Sequence, residues 1–287
     1  MGQRVVANAP REVGHHMRKS TLCLTLLALA GSATLALAQG MPTTQPKFLQ
    51  IYREDIKPGR AADHAKWEAG WPAAFEKAKS KYQYIALESI TGPPEAWFVQ
   101  PLASQAAYGE MEAEGNSPAL APEMERLAKG DAEFLSAQSA IQAVAVPELS
   151  YGAFPDIGKM RYWEITTFRV KPGYYESWVA ATKAYKSATA RSAPNASWRT
   201  YEVVAGAPGG TYLVFSSVGS FADFDKMAAQ GEATWKGMTA EESATLTTFM
   251  KEGVFNTVTQ RYRLNPRMSY VDAETRAKDP AFWNPKP

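Results

Sequence analysis

Three separate stretches of this chain occur twice. Pro147-Glu148-Leu149-Ser150-Tyr151 returns as Pro266-Arg267-Met268-Ser269-Tyr270, and Ile56-Lys57-Pro58-Gly59 returns as Val170-Lys171-Pro172-Gly173. Ser104-x-Ala106-x-Tyr108-x-x-Met111-x-Ala113-x-Gly115 returns as Ser220-x-Ala222-x-Phe224-x-x-Met227-x-Ala229-x-Gly231. The pairs keep their order, at offsets of 119, 114 and 116 residues. Recurrences in a fixed order at such a period mark a tandem duplication of a whole domain rather than a solenoid, whose units are shorter. The chain must therefore fold as two copies of one design.

The beginning of the chain reads differently. Arg18 and Lys19 precede an apolar run from Leu22 to Leu37, which ends in the small-x-small pattern Ala36-Leu37-Ala38. This pattern predicts a secretory signal peptide over residues 1–38, cleaved after Ala38. The sixteen residues ahead of Met17 fit no signal-peptide region, which makes Met17 a candidate start. Cys23 lies near the start of the apolar run rather than after it, which is the wrong place for a lipidated cysteine. The run is shorter than the roughly 20 residues of a membrane span, and no later stretch approaches that length. The expectation is a periplasmic or secreted protein with no membrane span after cleavage.

Removal of the leader changes the composition. The whole chain has 31 Lys+Arg and 29 Asp+Glu, but residues 1–38 hold four of the bases and one of the acids. The remainder is near neutral, so no polycationic surface for nucleic acid is expected. The single Cys leaves with the leader, and so do His15 and His16. The mature protein has no disulfide and must be held by its core. His64 is its one imidazole.

Periodicity gives the elements. In the first copy, Phe48 to Ile56 reads as a strand stopped by Lys57-Pro58-Gly59. A helix follows over about 61–79, with His64, Trp67, Trp71, Phe75 and Ala78 on one face and Pro72 expected to kink or split it. Strands over 82–90 and 96–101 flank a Gly92-Pro93-Pro94 turn. Ser104 caps a short helix ended by Gly115, a helix covers about 122–136, and a last strand covers 139–146. The second copy repeats this order with strands at 160–170, 198–204, 211–216 and 254–264. Its helices lie at 174–190, 220–230 and 240–252. Residues 46–151 and 159–271 are the two repeats, 152–158 a linker, and 272–287 a polar tail without periodicity, expected to be draped or disordered.

The order β-α-β-β-α-β, twice, is the ferredoxin-like unit, an α+β design. With the duplication and the extra helix before each last strand, the chain resembles the dimeric α+β barrel superfamily over about residues 46–271. That group includes antibiotic-biosynthesis monooxygenases, EthD-like and NIPSNAP-like proteins, and haem proteins related to chlorite dismutase. The resemblance implies two ferredoxin-like repeats packed sheet to sheet as an intramolecular pseudo-dimer. It rests on element order, not on a catalytic motif, so it speaks to architecture more than to function.

Candidate site residues follow from chemistry. His64 shares a helix face with Trp67 and Trp71, a plausible pocket wall. Its second-copy counterpart is Trp178, which favours a packing position. One His and no Cys cannot supply the usual structural zinc ligand set, so no metal is expected. Glu88 and Glu202 correspond at the 114 offset, each on a strand face with an aromatic, Tyr84 and Trp198. A carboxylate beside aromatics inside a barrel would serve as a general base with a raised pKa; on a wet face it is an ordinary strand Glu. Gly206-Ala207-Pro208-Gly209-Gly210 joins strands and is no phosphate loop, and there is no Gly-x-Ser-x-Gly elbow. Three readings remain open. The first is an exported monomer or weak oligomer, without a cofactor, that binds a small apolar or aromatic ligand between its repeats. The second is a cofactor-independent monooxygenase-like or haem-handling enzyme. The third is a structural or interaction module with a filled barrel.

Overall fold

The computed structural model describes residues 40–285, so the expected leader lies outside the described residues. The first repeat contains β1 (Phe48–Ile56), α1 (Ala61–Glu68), α2 (Gly70–Ala78), β2 (Ile85–Ser89), β3 (Glu95–Leu102), α3 (Gln105–Gly115), α4 (Ala121–Asp131) and β4 (Leu135–Ala145). The second contains β5 (Tyr162–Val170), α5 (Tyr175–Ser192), β6 (Arg199–Ala205), β7 (Thr211–Val218), α6 (Asp223–Lys236), α7 (Ala240–Glu252) and β8 (Val254–Leu264).

Local chemistry explains most boundaries. Pro72 lacks the donor that a continuous helix needs, and the chain breaks at Ala69 between α1 and α2. The second repeat has no proline there, and α5 runs unbroken for 18 residues. The Ser104 hydroxyl accepts from Ala107 N at 3.1 Å and starts α3. Gly115 ends α3, because Pro118 follows and forbids another turn. Its counterpart Gly231 lies inside α6, which continues six residues beyond the expected end at Gln230 because no proline stops it. The helix expected over 122–136 stops at Asp131, and β4 starts at Leu135 instead of Ser139. The ladder wins those residues: Lys57 N donates to Phe134 O, and Leu135 pairs with Ile56 across a bulge. The second repeat has the same bulge, between Arg169 and Val170.

The strands close into one barrel in the order β1-β3-β2-β8-β5-β7-β6-β4. Within each repeat the pairing is antiparallel, and two seams, β2 with β8 and β4 with β6, join the repeats. Alternate side chains point inward: Leu87, Trp97, Trp163, Ile165, Leu213 and Tyr262 belong to one buried cluster. The expected pseudo-dimeric α+β barrel is thus present in a single chain, with its helices on the outer faces.

The tail differs from expectation. It forms α8 (Ala273–Ala277) and α9 (Pro280–Trp283), each begun by an Asp side chain that accepts a backbone N–H, Asp272 and Asp279. Trp283 is 4 % exposed, packs into the barrel cluster, and donates its indole N–H to Gly158 O at 2.9 Å. Helices of one turn are too short to show periodicity, which is why the sequence pattern misses them.

A buried carboxylate lies inside the barrel wall. Glu95 on β3 is 3 % exposed. It accepts from Arg53 at 2.9 Å, Gln260 at 2.7 Å and the Tyr262 hydroxyl at 2.6 Å, the last two from the other repeat. Burial alone would raise its pKa. The hydrogen bonds from Tyr262 and Arg53, with the Trp97 indole alongside, outweigh burial and hold the carboxyl below its usual range. A depressed carboxyl contributes stability above its unfolded pKa, about 4.3, and loses it as pH falls through the lower folded value. Glu95→Gln should therefore cost about 1–3 kcal/mol at pH 7 and show a smaller further loss on acidification than the parent. Urea unfolding at pH 7 and at pH 3.5 measures both; equal acid sensitivity of the two proteins would remove Glu95 from this role.

Candidate functional site

The alternation of β1 places Ile51 and Arg53 on the inner side and Tyr52 and Glu54 on the side facing the helices. Four residues apart on α1, His64 and Glu68 share one face of the helix. The last residue of α4 is Asp131. A close approach of α1 and α4 brings these residues together: a Cβ on Gly130 would lie 1.9 Å from a ring carbon of Trp67. Only glycine lets that indole lie across α4, where its N–H donates to Leu127 O at 2.8 Å.

The result is a buried group of three carboxyls and one imidazole. Glu54, His64, Glu68 and Asp131 are each at most 5 % exposed. One ligand-capable atom from each lies within 4.8 Å of all the others. His64 Nε2 is 2.9 Å from Glu54 Oε2 and 3.6 Å from Asp131 Oδ1. Gln138 donates to the other Glu54 oxygen at 2.8 Å, and the Trp71 indole donates to Glu68 at 2.8 Å. Asp131 Oδ1 has no hydrogen-bond partner, nor has His64 Nδ1. Burial, then the charges of Glu54 and Asp131, push the Glu68 carboxyl upward. Burial and the Glu54 charge push Asp131 upward, against the His64 charge and a hydrogen bond with the Glu68 carboxyl, which pull it down.

The second repeat shows what the fold itself requires at this place. At the same offset of 114 residues, Glu54, His64 and Glu68 correspond to Phe168, Trp178 and Thr182. The Trp178 ring packs 4.9 Å from Phe168 and 5.5 Å from Phe249. An aromatic core fills the position in one copy and a charged group fills it in the other. Scaffold packing therefore does not explain the charges.

Glu54 and Glu68 form part of the wall of a cavity of about 660 Å³ between the outer face of the first-repeat sheet and helices α2, α3 and α4. Aromatic and thioether side chains supply much of the rest, among them Trp71, Phe75, Tyr84 and Met111. The Tyr84 hydroxyl is buried without a hydrogen-bond partner. Burial, then the nearby Glu68 and Glu54 charges, raise its pKa and keep it protonated. Glu112 and Asn116 stand exposed at the rim. A second cavity of about 700 Å³ lies under the helices of the second repeat, lined by Trp178, Thr182 and Trp198 among others. The space expected to hold a ligand between the repeats is nearly closed, at about 60 Å³. Inward side chains and the tail's Trp283 occupy it.

The candidate residues are dispersed by this arrangement. His64, Trp71 and Tyr84 gather at the first-repeat cavity, with His64 behind Glu54 and Glu68 rather than on the surface of the space. Trp67 serves the α1–α4 contact. Trp178 and Trp198 belong to the second repeat, where Trp198 stacks on Tyr151 at 5.1 Å and donates to Leu149 O. Glu88 and Glu202 do not face the barrel interior; Glu88 accepts from Arg263 at 3.2 Å and Glu202 stands opposite Tyr212. A buried inward carboxylate is Glu95 instead. Sequence reasoning missed Glu54, Glu68 and Asp131, although an acid at 54 against Phe168 was a readable signal. A histidine-ligated haem does not fit: His64, the one histidine among the described residues, is fully buried and already bonded to Glu54.

No protein-family model matches the chain, and a search of curated proteins finds no match. Solved structures resemble it at low identity. A protein from Lactobacillus acidophilus NCFM provisionally named a monooxygenase is 8 % identical, with a TM-score of 0.49, over 79 % of this chain and 97 % of its own. An anthrone oxidase-like protein is 12 % identical, with a TM-score of 0.49, over 77 % and 92 %. A mutant chlorite dismutase from Candidatus Nitrospira defluvii is 9 % identical, with a TM-score of 0.47, over 82 % and 96 %.

Because Glu88 and Glu202 lie outside both large cavities, Glu88→Gln, Glu202→Gln and the double variant should each change stability by no more than about 1 kcal/mol. They should also leave small-molecule retention unchanged. Thermal melting and native mass spectrometry check this, and loss of a retained ligand would return both residues to the site.

Proposed function

We propose that this chain is an exported protein that binds one small, largely apolar ligand with ring character in the cavity of the first repeat. The observation that carries this reading is the contrast between a nearly closed barrel and a cavity of about 660 Å³ under the first-repeat helices. Its size suits a small organic molecule. Phe75, Tyr84 and Trp71 offer ring faces and edges for a flat apolar body. The unpartnered Tyr84 hydroxyl offers a donor that would orient a ligand carrying an acceptor. Export is supported by Arg18-Lys19, the apolar run to Leu37 and Ala36-Leu37-Ala38. A monomer or weak oligomer fits the closed barrel, which leaves no strand edge to pair among the described residues.

A second reading, an oxygenase-like enzyme that needs no cofactor, draws on Glu54 and Glu68 at the cavity wall, where a carboxylate would meet a substrate proton. Oxygen consumption with the retained ligand distinguishes an enzyme from a binder.

Met111→Trp fills part of the cavity from α3. It should lower ligand retention at least tenfold while moving stability by about 1 kcal/mol. Native mass spectrometry of parent and variant reads the first, thermal melting the second; unchanged retention would place the ligand elsewhere. The intact mass of exported protein should begin at Gln39, and a retained leader would overturn the export proposal.

A further inference from the structure

We propose that Glu54, His64, Glu68 and Asp131 bind one divalent first-row metal ion, reached from the first-repeat cavity. This goes beyond ligand binding and does not depend on which organic molecule the cavity takes.

The donor set is three carboxylates and one imidazole. Carboxylate and imidazole together suit manganese, iron and zinc ions. The sequence excludes the usual Cys-rich zinc sets, but carboxylates from β1, α1 and α4 supply the missing ligands. An ion bonded at about 2.0–2.2 Å to each donor holds those atoms about 3–4 Å apart. The four donor atoms already lie within 4.8 Å of one another, so small side-chain movements complete the site.

Two independent features support an ion rather than a self-sufficient cluster. First, Asp131 is 2 % exposed, and its Oδ1 faces His64 Nε2 at 3.6 Å with no hydrogen-bond partner. Without an ion, this carboxyl has only a proton shared with Glu68 to relieve its burial, and a cation in place of that proton satisfies it. Second, the two carboxyls on the cavity wall are held from outside. Gln138 fixes Glu54 and the Trp71 indole fixes Glu68. Supporting hydrogen bonds of this kind orient metal ligands. His64 is the one ionic partner of these carboxyls among the described residues, so one imidazole faces three acids. A divalent ion that displaces the carboxyl protons balances the charge of the group.

The placement also leaves room for chemistry. His64 and Asp131 sit behind, while Glu54 and Glu68 line the cavity. An ion among them would have its remaining coordination positions open toward the cavity, where water or a ligand oxygen would bind. The second repeat, with Phe168, Trp178 and Thr182 at the equivalent positions, offers no such set.

The test uses the mature full chain, stripped with chelator and titrated with Mn²⁺, Co²⁺ and Zn²⁺ chlorides. The expected result is one equivalent of bound metal by calorimetry and elemental analysis, visible d–d bands with Co²⁺, and a raised melting temperature. Asp131→Asn and Glu68→Gln should stay folded and weaken the affinity at least tenfold. Trp71→Phe should weaken it about 10- to 100-fold by freeing Glu68. Glu88→Gln should bind as the parent does. Absence of Co²⁺ bands and of any melting shift in the folded parent overturns the proposal. Binding that survives in the Asp131→Asn, Glu68→Gln double variant overturns it too, because the ion then sits on the surface. Retention of the organic ligand by stripped protein, measured in parallel, keeps the binding function separate from the fate of the metal site.

Discussion

Everything in this molecule depends on the two seams that join the repeats, β2 to β8 and β4 to β6. A single ferredoxin-like repeat leaves one sheet face and two strand edges uncovered. The seams remove both liabilities together, because the edges pair and the bare faces become the inside of a barrel. Closure also has a consequence for function. An eight-stranded barrel either fills with its own side chains or holds one small ligand; here Trp97, Trp163, Phe215 and Tyr262 are large and leave about 60 Å³. The roomier spaces lie outside the barrel, under the helices, where the two large cavities are.

The duplication then acts as an internal control. Where the copies agree, the residues serve the shared scaffold. The Lys-Pro-Gly turns take the same left-handed glycine conformation, with φ of 79° at Gly59 and 85° at Gly173. The Pro-x-x-Ser-Tyr segments end each repeat in the same way, with Ser150 Oγ and Ser269 Oγ accepting backbone N–H bonds from Thr200 and Ala86. Glu88 and Glu202 also agree, and both lie on outward strand faces. Where the copies disagree, the chemistry appears. An acid against Phe168, an imidazole against Trp178 and an acid against Thr182 are not conservative exchanges.

The architecture was legible in the sequence because strand alternation, turn residues and the duplication all point to one answer. The boundaries that shifted did so for tertiary reasons: bulged pairing claimed Leu135, and one-turn helices in the tail leave no periodic trace. The site was half legible. Periodicity set His64, Trp67 and Trp71 on one helix face, of which Trp71 lines the cavity and Trp67 ties to α4, but could not reveal that Glu54, ten residues earlier on a strand, and Asp131, on another helix, point at the same atom. Symmetry between copies drew attention to Glu88 and Glu202, because retention looks like importance. In a duplicated protein retention first reports the scaffold.

The same comparison explains how the scaffold makes room for charge. In the second repeat, Ala181 on α5 and Phe249 on α7 pack in one cluster with Trp178 at its centre. In the first, the corresponding positions are Trp67 and Gly130, so large and small have changed places between the helices. The bulky ring moves to the outer side of the contact, and its indole N–H ties α1 to α4 at Leu127 O. His64 stands at the position of Trp178, and Asp131 follows Gly130, the counterpart of Phe249. Burying several carboxyls costs several kcal/mol each when they are charged and uncompensated, against a total fold stability of about 5–15 kcal/mol. A scaffold that has an aromatic solution for this position, and uses it in its other half, gains no stability from the charged one. The charged group therefore belongs with the cavity beside it rather than with the core beneath it.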